Sequence, residues 1–336
     1  MQIDVILEAD ATPAQVAELA QLAEKYGIRG LWTQNYSNAR DAFMCLMPAA
    51  AATRTIRLGA VVISPYEMHP LKIANSVATL NEYSSGRGMV VIGGGGEWPG
   101  VLAVKLGKRV VGCGEAIAMV KRAVQGEVVS WKGEVHSARY FRSTWVKGPA
   151  PIIYAGATGP NMLDMATQFA DGTMLSDMTL PMLPKTMASV RDGLAKHGRD
   201  AGAFRVNNFC AFHVKKDREA SFREARRELM IRGWLEPAWY TPFLDADEAR
   251  IVHEKRDAFL TAFRTRSGDI RGVPPEICAK LVEGLSLAGD LSDLDRHAER
   301  IRTFAAAGMT ENALRLHDEP EQALHIIGKE LLPRLR

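Results

Sequence analysis

The 336-residue chain contains no stretch of about 18 or more apolar residues, so nothing in it reads as a membrane-spanning helix. Its opening, MQIDVILEAD, lacks a basic segment ahead of an apolar core, which predicts a cytoplasmic protein. An excess of one charge is also missing: 42 Lys and Arg stand against 39 Asp and Glu, and a net charge of +3 is too balanced to imply a nucleic-acid partner. Cysteine is scarce. Cys45, Cys113, Cys210 and Cys278 lie far apart, with no C-x-x-C and no histidine at zinc spacing, so reduced thiols are expected rather than disulfides or a metal site. The first strand-like segment runs into ILEAD without an H-x-H, which argues against a metal-dependent barrel hydrolase. Two phosphate motifs fail as well. Gly93 to Gly96 runs into Trp98 and Pro99 instead of completing G-x-G-x-x-G, and Gly107-Lys108 is followed by Arg109 without P-loop spacing.

What the chain does have is an ordinary globular composition, 47% hydrophobic and 24% charged, and a repeated grammar. The β-branched run IDVIL (3–7) is followed by Thr12-Pro13, an N-cap with proline at the first helical position, and then by AQVAELAQLAEKY up to Gly27. Short apolar strands and helical stretches then alternate. GLWT precedes DAFMCLMPAAAAT, IRLGAVVI precedes HPLKIANSVATLNEYSSG, and GMVVIGGGG precedes GEAIAMVKRAVQG. PIIYAGA, GTMLS, FRVNNFCAFHV and finally NALRLH continue the series. Eight such units predict a single α/β domain over 1–336, a closed (β/α)8 TIM barrel, with an open doubly wound sheet as the alternative. Two insertions break the rhythm. Residues 127–146 alternate apolar and polar residues around Lys132-Gly133, a hairpin pattern before the fifth strand. Residues 234–275 carry Trp234, Trp239, Tyr240 and Phe243 among charges, which suits either a lid or a helical pair on the outer ring.

In such barrels the chemistry gathers at the carboxyl ends of the strands. Those ends are polar or glycine-rich here: TQNYSNARD after the second strand, SPYEMHP after the third, GGGGEWP after the fourth and GATGP after the fifth. A glycine-rich turn opening a helix offers backbone N–H groups to an anion, and the helix dipole adds roughly 0.3 to 1 kcal/mol. Gly156, Thr158 and Gly159 thus read as a phosphate cradle, with Pro160 in the first helical turn losing no useful donor. A plain turn with Thr158 as N-cap explains the same residues.

These segments also carry a resemblance. The run from LAEKYGIRGLWTQNYSNARDAF through TIRLGAVVISPYEMHPLKIANSVATLNEYSSGRGMVVIGGGGE, then PIIYAGATGPNMLDMATQFADGTMLS, and at the end ENALRLHDEPEQALHIIGKELLPRL, resembles the bacterial luciferase-like superfamily of flavin-type oxidoreductases. Within it, the chain looks most like the methylenetetrahydromethanopterin reductase branch, whose members use coenzyme F420, a 5-deazaflavin. P-Y-x-x-H-P and G-A-T-G-P are the motifs that carry the likeness.

The resemblance implies a (β/α)8 barrel with insertions and a cofactor phosphate held by Gly156, Ala157, Thr158 and Gly159, beside Pro160. It implies a non-prolyl cis peptide at Val61-Val62, forming with Ile63 a bulge behind the flavin-type ring, and it brings Gly95 and Gly96 to the cofactor. Glu97 matches an acidic position that serves proton transfer in some relatives, where burial would raise its pKa; a surface or capping glutamate is the plainer reading. Relatives tend to have Asp-His where this chain has Gln34-Asn35, so the titrating histidine is absent and Asn35 offers only hydrogen bonds, with Gln34 beside it facing substrate. His69 is either a helix cap or a substrate contact. The expected protein is an oxidoreductase moving a hydride between F420 and a small organic substrate with a C=C, C=N or carbonyl group, and a homodimer like its relatives. An FMN-dependent monooxygenase and a cofactor-binding barrel without catalysis are the alternatives.

Overall fold

The computed structural model describes residues 1–336 as two compact units. The larger comprises Gln2–Leu175 and Lys185–Asn207; the smaller comprises Met1, Ser176–Pro184 and Asn208–Arg336.

In the larger unit the alternation becomes β1 (Gln2–Leu7), α1 (Pro13–Lys25), β2 (Gly30–Gln34), α2 (Ala42–Ala52), β3 (Arg57–Ile63), α3 (Pro70–Tyr83) and β4 (Gly88–Ile92). There follow α4 (Trp98–Val101), α5 (Arg109–Val124), the hairpin β5 (Val129–Lys132) and β6 (Ser137–Phe141), then β7 (Ile152–Gly156), α6 (Pro160–Phe169) and β8 (Gly172–Ser176). Helix α7 (Leu183–Lys196) and β9 (Arg205–Phe212) complete this part. The strands are parallel neighbours in the order β1-β2-β3-β4-β7-β8, with Val5 opposite Leu31, Leu31 opposite Leu58, Val90 opposite Ile153 and Ala155 opposite Thr173. They are buried on both faces, which is why each reads as a nearly continuous apolar run.

Local chemistry sets the helix starts. Thr12 and Gln15 form a reciprocal capping box before Pro13, and the Asp41 carboxylate accepts from the Met44 amide at 2.8 Å ahead of α2, which runs on with Pro48 inside it. One polar group sits deep among the strands. Asp4, fully buried, is held by the Arg29 guanidinium, by Trp32 Nε1 at 2.9 Å and by Asn207 Nδ2 at 2.9 Å, so its charge is paired and hydrogen-bonded as burial requires.

The smaller unit continues from β9 through α8 (Arg218–Arg227), α9 (Pro237–Tyr240), α10 (Ala246–Glu254), α11 (Arg256–Arg264), α12 (Pro275–Leu285), β10 (Ser286–Leu287), α13 (Leu294–Ala306), β11 (Glu311–Arg315) and α14 (Pro320–Ile326). Segment 234–275 is not a loose flap. Tyr240, Val252, Phe259, Ala262 and Ile270 share one apolar cluster with Leu229 after α8 and with Leu281 and Leu285 of α12. Asp177 is bonded to Arg232 and Gly233 at the start of this segment, and Arg266 near its end pairs with Asp318 beyond β11.

The parallel strands β1, β2, β3, β4, β7, β8, β9 and β11 alternate with helices in a closed (β/α)8 barrel, which sets aside the open doubly wound sheet. No helix is long and apolar enough to cross a membrane.

Candidate active site

The carboxyl ends of β4 and β7 meet across a wall almost free of side chains. A cleft of about 410 Å³ is lined by Gly94 and Gly95 after β4, by Gly156 and Gly159 to Met162 around the start of α6, and by Arg109 and Val110 at the start of α5. The bareness is enforced on one side. An added Cβ at Gly93 would lie 2.7 Å from Val62 Cγ1, and one at Gly94 would lie 3.1 Å from Cys113 Sγ.

At α6 the N-cap is Gly159, in extended conformation and without a side-chain cap, so Thr158 is not the cap that its sequence position also allowed. Pro160 has no N–H, and the first turn therefore presents the amides of Asn161 and Met162 with no intrahelical partner. Ala157 is buried, its amide donating to the Met174 carbonyl at 3.2 Å. Arg109 adds an exposed cation that makes no ion pair of its own, directly behind Lys108, whose left-handed backbone (φ 48°) turns the chain into α5. Unpaired amides, a helix N-terminus and a free guanidinium around one cleft are groups that can hold an anion.

The second group of residues surrounds the end of β3. The Val61-Val62 peptide is cis, and the β3–β4 register shifts between Ala60 and Ile63. The Asn35 amide donates to the Val61 carbonyl at 3.0 Å, and Asn35 Nδ2 donates to the Val62 carbonyl at 3.1 Å and to Glu67 Oε1. Glu67 Oε1 also accepts from the Ser64 amide at 3.1 Å. Burial raises the Glu67 carboxyl above the usual range, with the bonds from Ser64 and Asn35 acting the other way. Ile63 is buried, and its carbonyl accepts from the Gly93 amide at 3.1 Å. The bulge and the glycine wall are thus one contiguous surface, with Val62 packed against Gly93.

Of three residues singled out in the sequence, Glu97 and His69 take the plainer of their two readings and Gln34 faces away from the expected place. Glu97 is exposed rather than buried, its Oε2 accepting from the amide and hydroxyl of Ser37 at 3.2 and 2.9 Å. Gln34 is buried and donates from Nε2 to the Leu7 carbonyl at 2.9 Å, a tie between strands and not an arm toward solvent. His69 caps α3, with Nδ1 accepting from the Leu71 amide and Nε2 3.2 Å from the Ser137 carbonyl, so both ring nitrogens are engaged in holding α3 and β6. Gly96 is exposed with φ 102°, one residue beyond the cleft lining. Two residues escaped the sequence reading. Arg109 reaches the cleft from a helix nearly fifty residues before GATGP, and Glu67 lies inside SPYEMHP, where the flanking Tyr and His-Pro drew the eye. An acid in a segment already marked as a strand end was the available signal for the second.

The luciferase-like monooxygenase family model matches residues 1–311. The chain belongs to this family. It is an enzyme of the luciferase-like oxidoreductases, and it is similar over nearly its whole length to proteins named as methylenetetrahydromethanopterin reductases and as F420-dependent dehydrogenases. It is 29% identical over 324 residues, 94% of each chain, to a 5,10-methylenetetrahydromethanopterin reductase of Archaeoglobus fulgidus. An F420-dependent glucose-6-phosphate dehydrogenase of Nakamurella multipartita is 25% identical, with 96% of this chain and 93% of that protein covered. Among solved structures, the coenzyme F420 dependent tetrahydromethanopterin reductase of Methanopyrus kandleri shares the fold with a TM-score of 0.82 at 21% identity, over 100% of this chain and 99% of that one.

Proposed function

We propose that this luciferase-like enzyme transfers a hydride between coenzyme F420 and a small organic substrate carrying a C=C, C=N or carbonyl group. The observation that carries the reading is the glycine-walled cleft that ends on the N-terminus of α6 with Arg109 beside it, in a chain with near-full-length relatives named as F420-dependent dehydrogenases. The residues fit the group. A phosphate would be held by the amides of Asn161 and Met162 and the Arg109 guanidinium, with the half-buried Thr158 hydroxyl as a further donor next to the cap, and a flat ring would have a wall of Gly94, Gly95 and Gly156 to lie on.

Bound deazaflavin supplies the two-electron hydride chemistry, and the protein supplies position. Val61, Val62 and Ile63 form the support behind the ring, fixed because Asn35 holds the carbonyl of Val62 and Gly93 holds that of Ile63. Glycine at 94, 95 and 156 would let backbone approach a flat ring closely. The homodimer and the cytoplasmic location rest on the family resemblance and the sequence pattern, and sedimentation and cell fractionation test them.

Titration of the purified, ligand-free protein with F420 and separately with FMN, followed by absorbance and fluorescence, tests the reading. Binding of F420 in preference to FMN is expected, followed by oxidation of bound reduced F420 by an acceptor of the stated class. A preference for FMN with oxygen consumption would replace the reading by a monooxygenase, binding of either cofactor without turnover would leave a non-catalytic barrel, and binding of neither would sink the phosphate cradle.

A further inference from the structure

Reduction of a polar double bond needs a proton as well as a hydride, and the residues nearest the bulge divide sharply by whether they can supply one. Asn35 carries a carboxamide, which does not titrate in the working pH range. Glu97 is in solvent with Oε2 committed to Ser37. His69 and Tyr66, on the same segment as Glu67, are turned into bonds with the Ser137 and Gly107 carbonyls. Glu67 differs from all of these. It is half-buried, its Oε1 is fixed by Asn35 Nδ2 and the Ser64 amide, and its Oε2 makes no hydrogen bond.

That fixed oxygen and that free oxygen lie at the bulge whose Val62 packs against Gly93 of the cleft wall. Asn35 Nδ2 donates to the carbonyl of Val62 and to Glu67 at once, so the ring support and the carboxyl share one anchor. Two bonds fix one oxygen of the half-buried carboxyl and leave the other without a partner, as a proton carrier needs.

We propose that Glu67 is the proton-carrying group of this site and that Asn35 is its positioning residue. The inference rests on the hydride-transfer reading above. With reduced deazaflavin as the reductant, the hydride and its electron pair form the new C–H bond on the electrophilic carbon of the substrate. The π bond breaks and its pair moves to the partner atom, which takes the proton from Glu67 Oε2. Oxidised cofactor, reduced substrate and a Glu67 carboxylate result, and solvent returns the proton to the carboxylate.

The test is isotope-edited infrared titration of the ligand-free full chain and its E67Q variant. A free glutamate is ionised above its ordinary pKa of about 4.3. A protonated-acid band that persists above the range in which a free glutamate ionises, present in the wild type and absent from E67Q, is expected, and N35A should shift its midpoint. Fluorescence titration with F420 then separates the two levels of argument. E67Q should bind F420 within about twofold of wild type, while single-turnover oxidation of bound reduced F420 by cyclohexenone slows about 10² fold or more and loses its pH-dependent limb. A Glu67 band that titrates in the range of a free glutamate, or oxidation by E67Q at the wild-type rate, overturns the proposal. Failure of the wild type to bind F420 overturns the cofactor reading and leaves the infrared result on Glu67 to be judged by itself.

Discussion

Replacing Asp177 by Asn tests how the segment after α8 is anchored. Asp177 closes β8 with a left-handed backbone, φ 50°, and its carboxylate and the Arg232 guanidinium are 2% and 1% exposed. Oδ1 accepts from Arg232 Nη1 at 2.9 Å, Oδ2 accepts from the Gly233 amide and the Ser176 hydroxyl at 3.0 Å each, and the main-chain carbonyl accepts from Trp239 Nε1 at 3.1 Å. Asparagine has the same shape and also tolerates the left-handed region, so the substitution removes a charge without adding backbone strain. It leaves Arg232 as a buried cation with no counter-charge, in a site where Nε already lacks a partner. Breaking such a pair costs about 3 to 5 kcal/mol, and retention of an acceptor oxygen places D177N near the lower end, about 3 kcal/mol. Because replacing both members of a buried pair by uncharged groups is often neutral, the D177N/R232M double variant should recover most of the loss. Urea unfolding of the four proteins reads this as a fall in midpoint at unchanged slope, with partial restoration in the double variant. A loss under about 1 kcal/mol in D177N, or strict additivity in the cycle, would refute the reasoning.

R109A should weaken F420 binding about tenfold at low salt, because a guanidinium contributes a charge-assisted bond to phosphate, and the gap should narrow at high ionic strength; equal salt slopes for both proteins would remove Arg109 from the site. In the smaller unit, burial first and the stacked His317 next bring the His213 imidazole down to about 4, while its bond to Glu224 acts upward. His213 is therefore neutral and Glu224 ionised, since Lys215 Nζ at 2.9 Å supplies the carboxylate's counter-charge. A folded-state pKa below the unfolded value of 6.5 means that the unfolded chain takes the proton first. Stability is then full above pH about 6.5 and is lost as pH falls through about 4. The urea midpoint should decline over that window and decline less in H213Q, and parallel curves would contradict the assignment.

The periodic part of the fold was legible because it depends on neighbours in sequence. The alternation of strands and helices, the Thr12-Pro13 start of α1 and the hairpin around Lys132-Gly133 all follow from side-chain period and turn chemistry. Helix α2 kept its pattern through Pro48, whereas the π turn at Ile327–Leu331 in the last helical stretch left no trace in the periodicity. Legibility fails where partners are distant. Nothing near Glu115 announces that its carboxylate caps the hairpin turn, accepting from the amides of Glu134, Val135 and His136. For the same reason GATGP announced an anion site without disclosing Arg109, and Glu97 looked like the site acid although Glu67 is the carboxyl that packing places beside Asn35.

The glycine wall divides the cleft into a part that mutation can remodel and a part that it cannot. An ideal Cβ at Gly95 or Gly159 meets nothing within 4 Å, while one at Gly93 or Gly94 runs into Val62 or Cys113. A larger residue at Gly95 or Gly159 would narrow the pocket and leave the barrel intact, whereas one at Gly93 or Gly94 would displace the barrel's own packing. Position 95 is therefore open to changes of cleft shape that spare the barrel's packing, whereas a side chain at position 159, equally free of clashes, would stand at the helix N-terminus proposed to hold the phosphate and would be read in cofactor affinity.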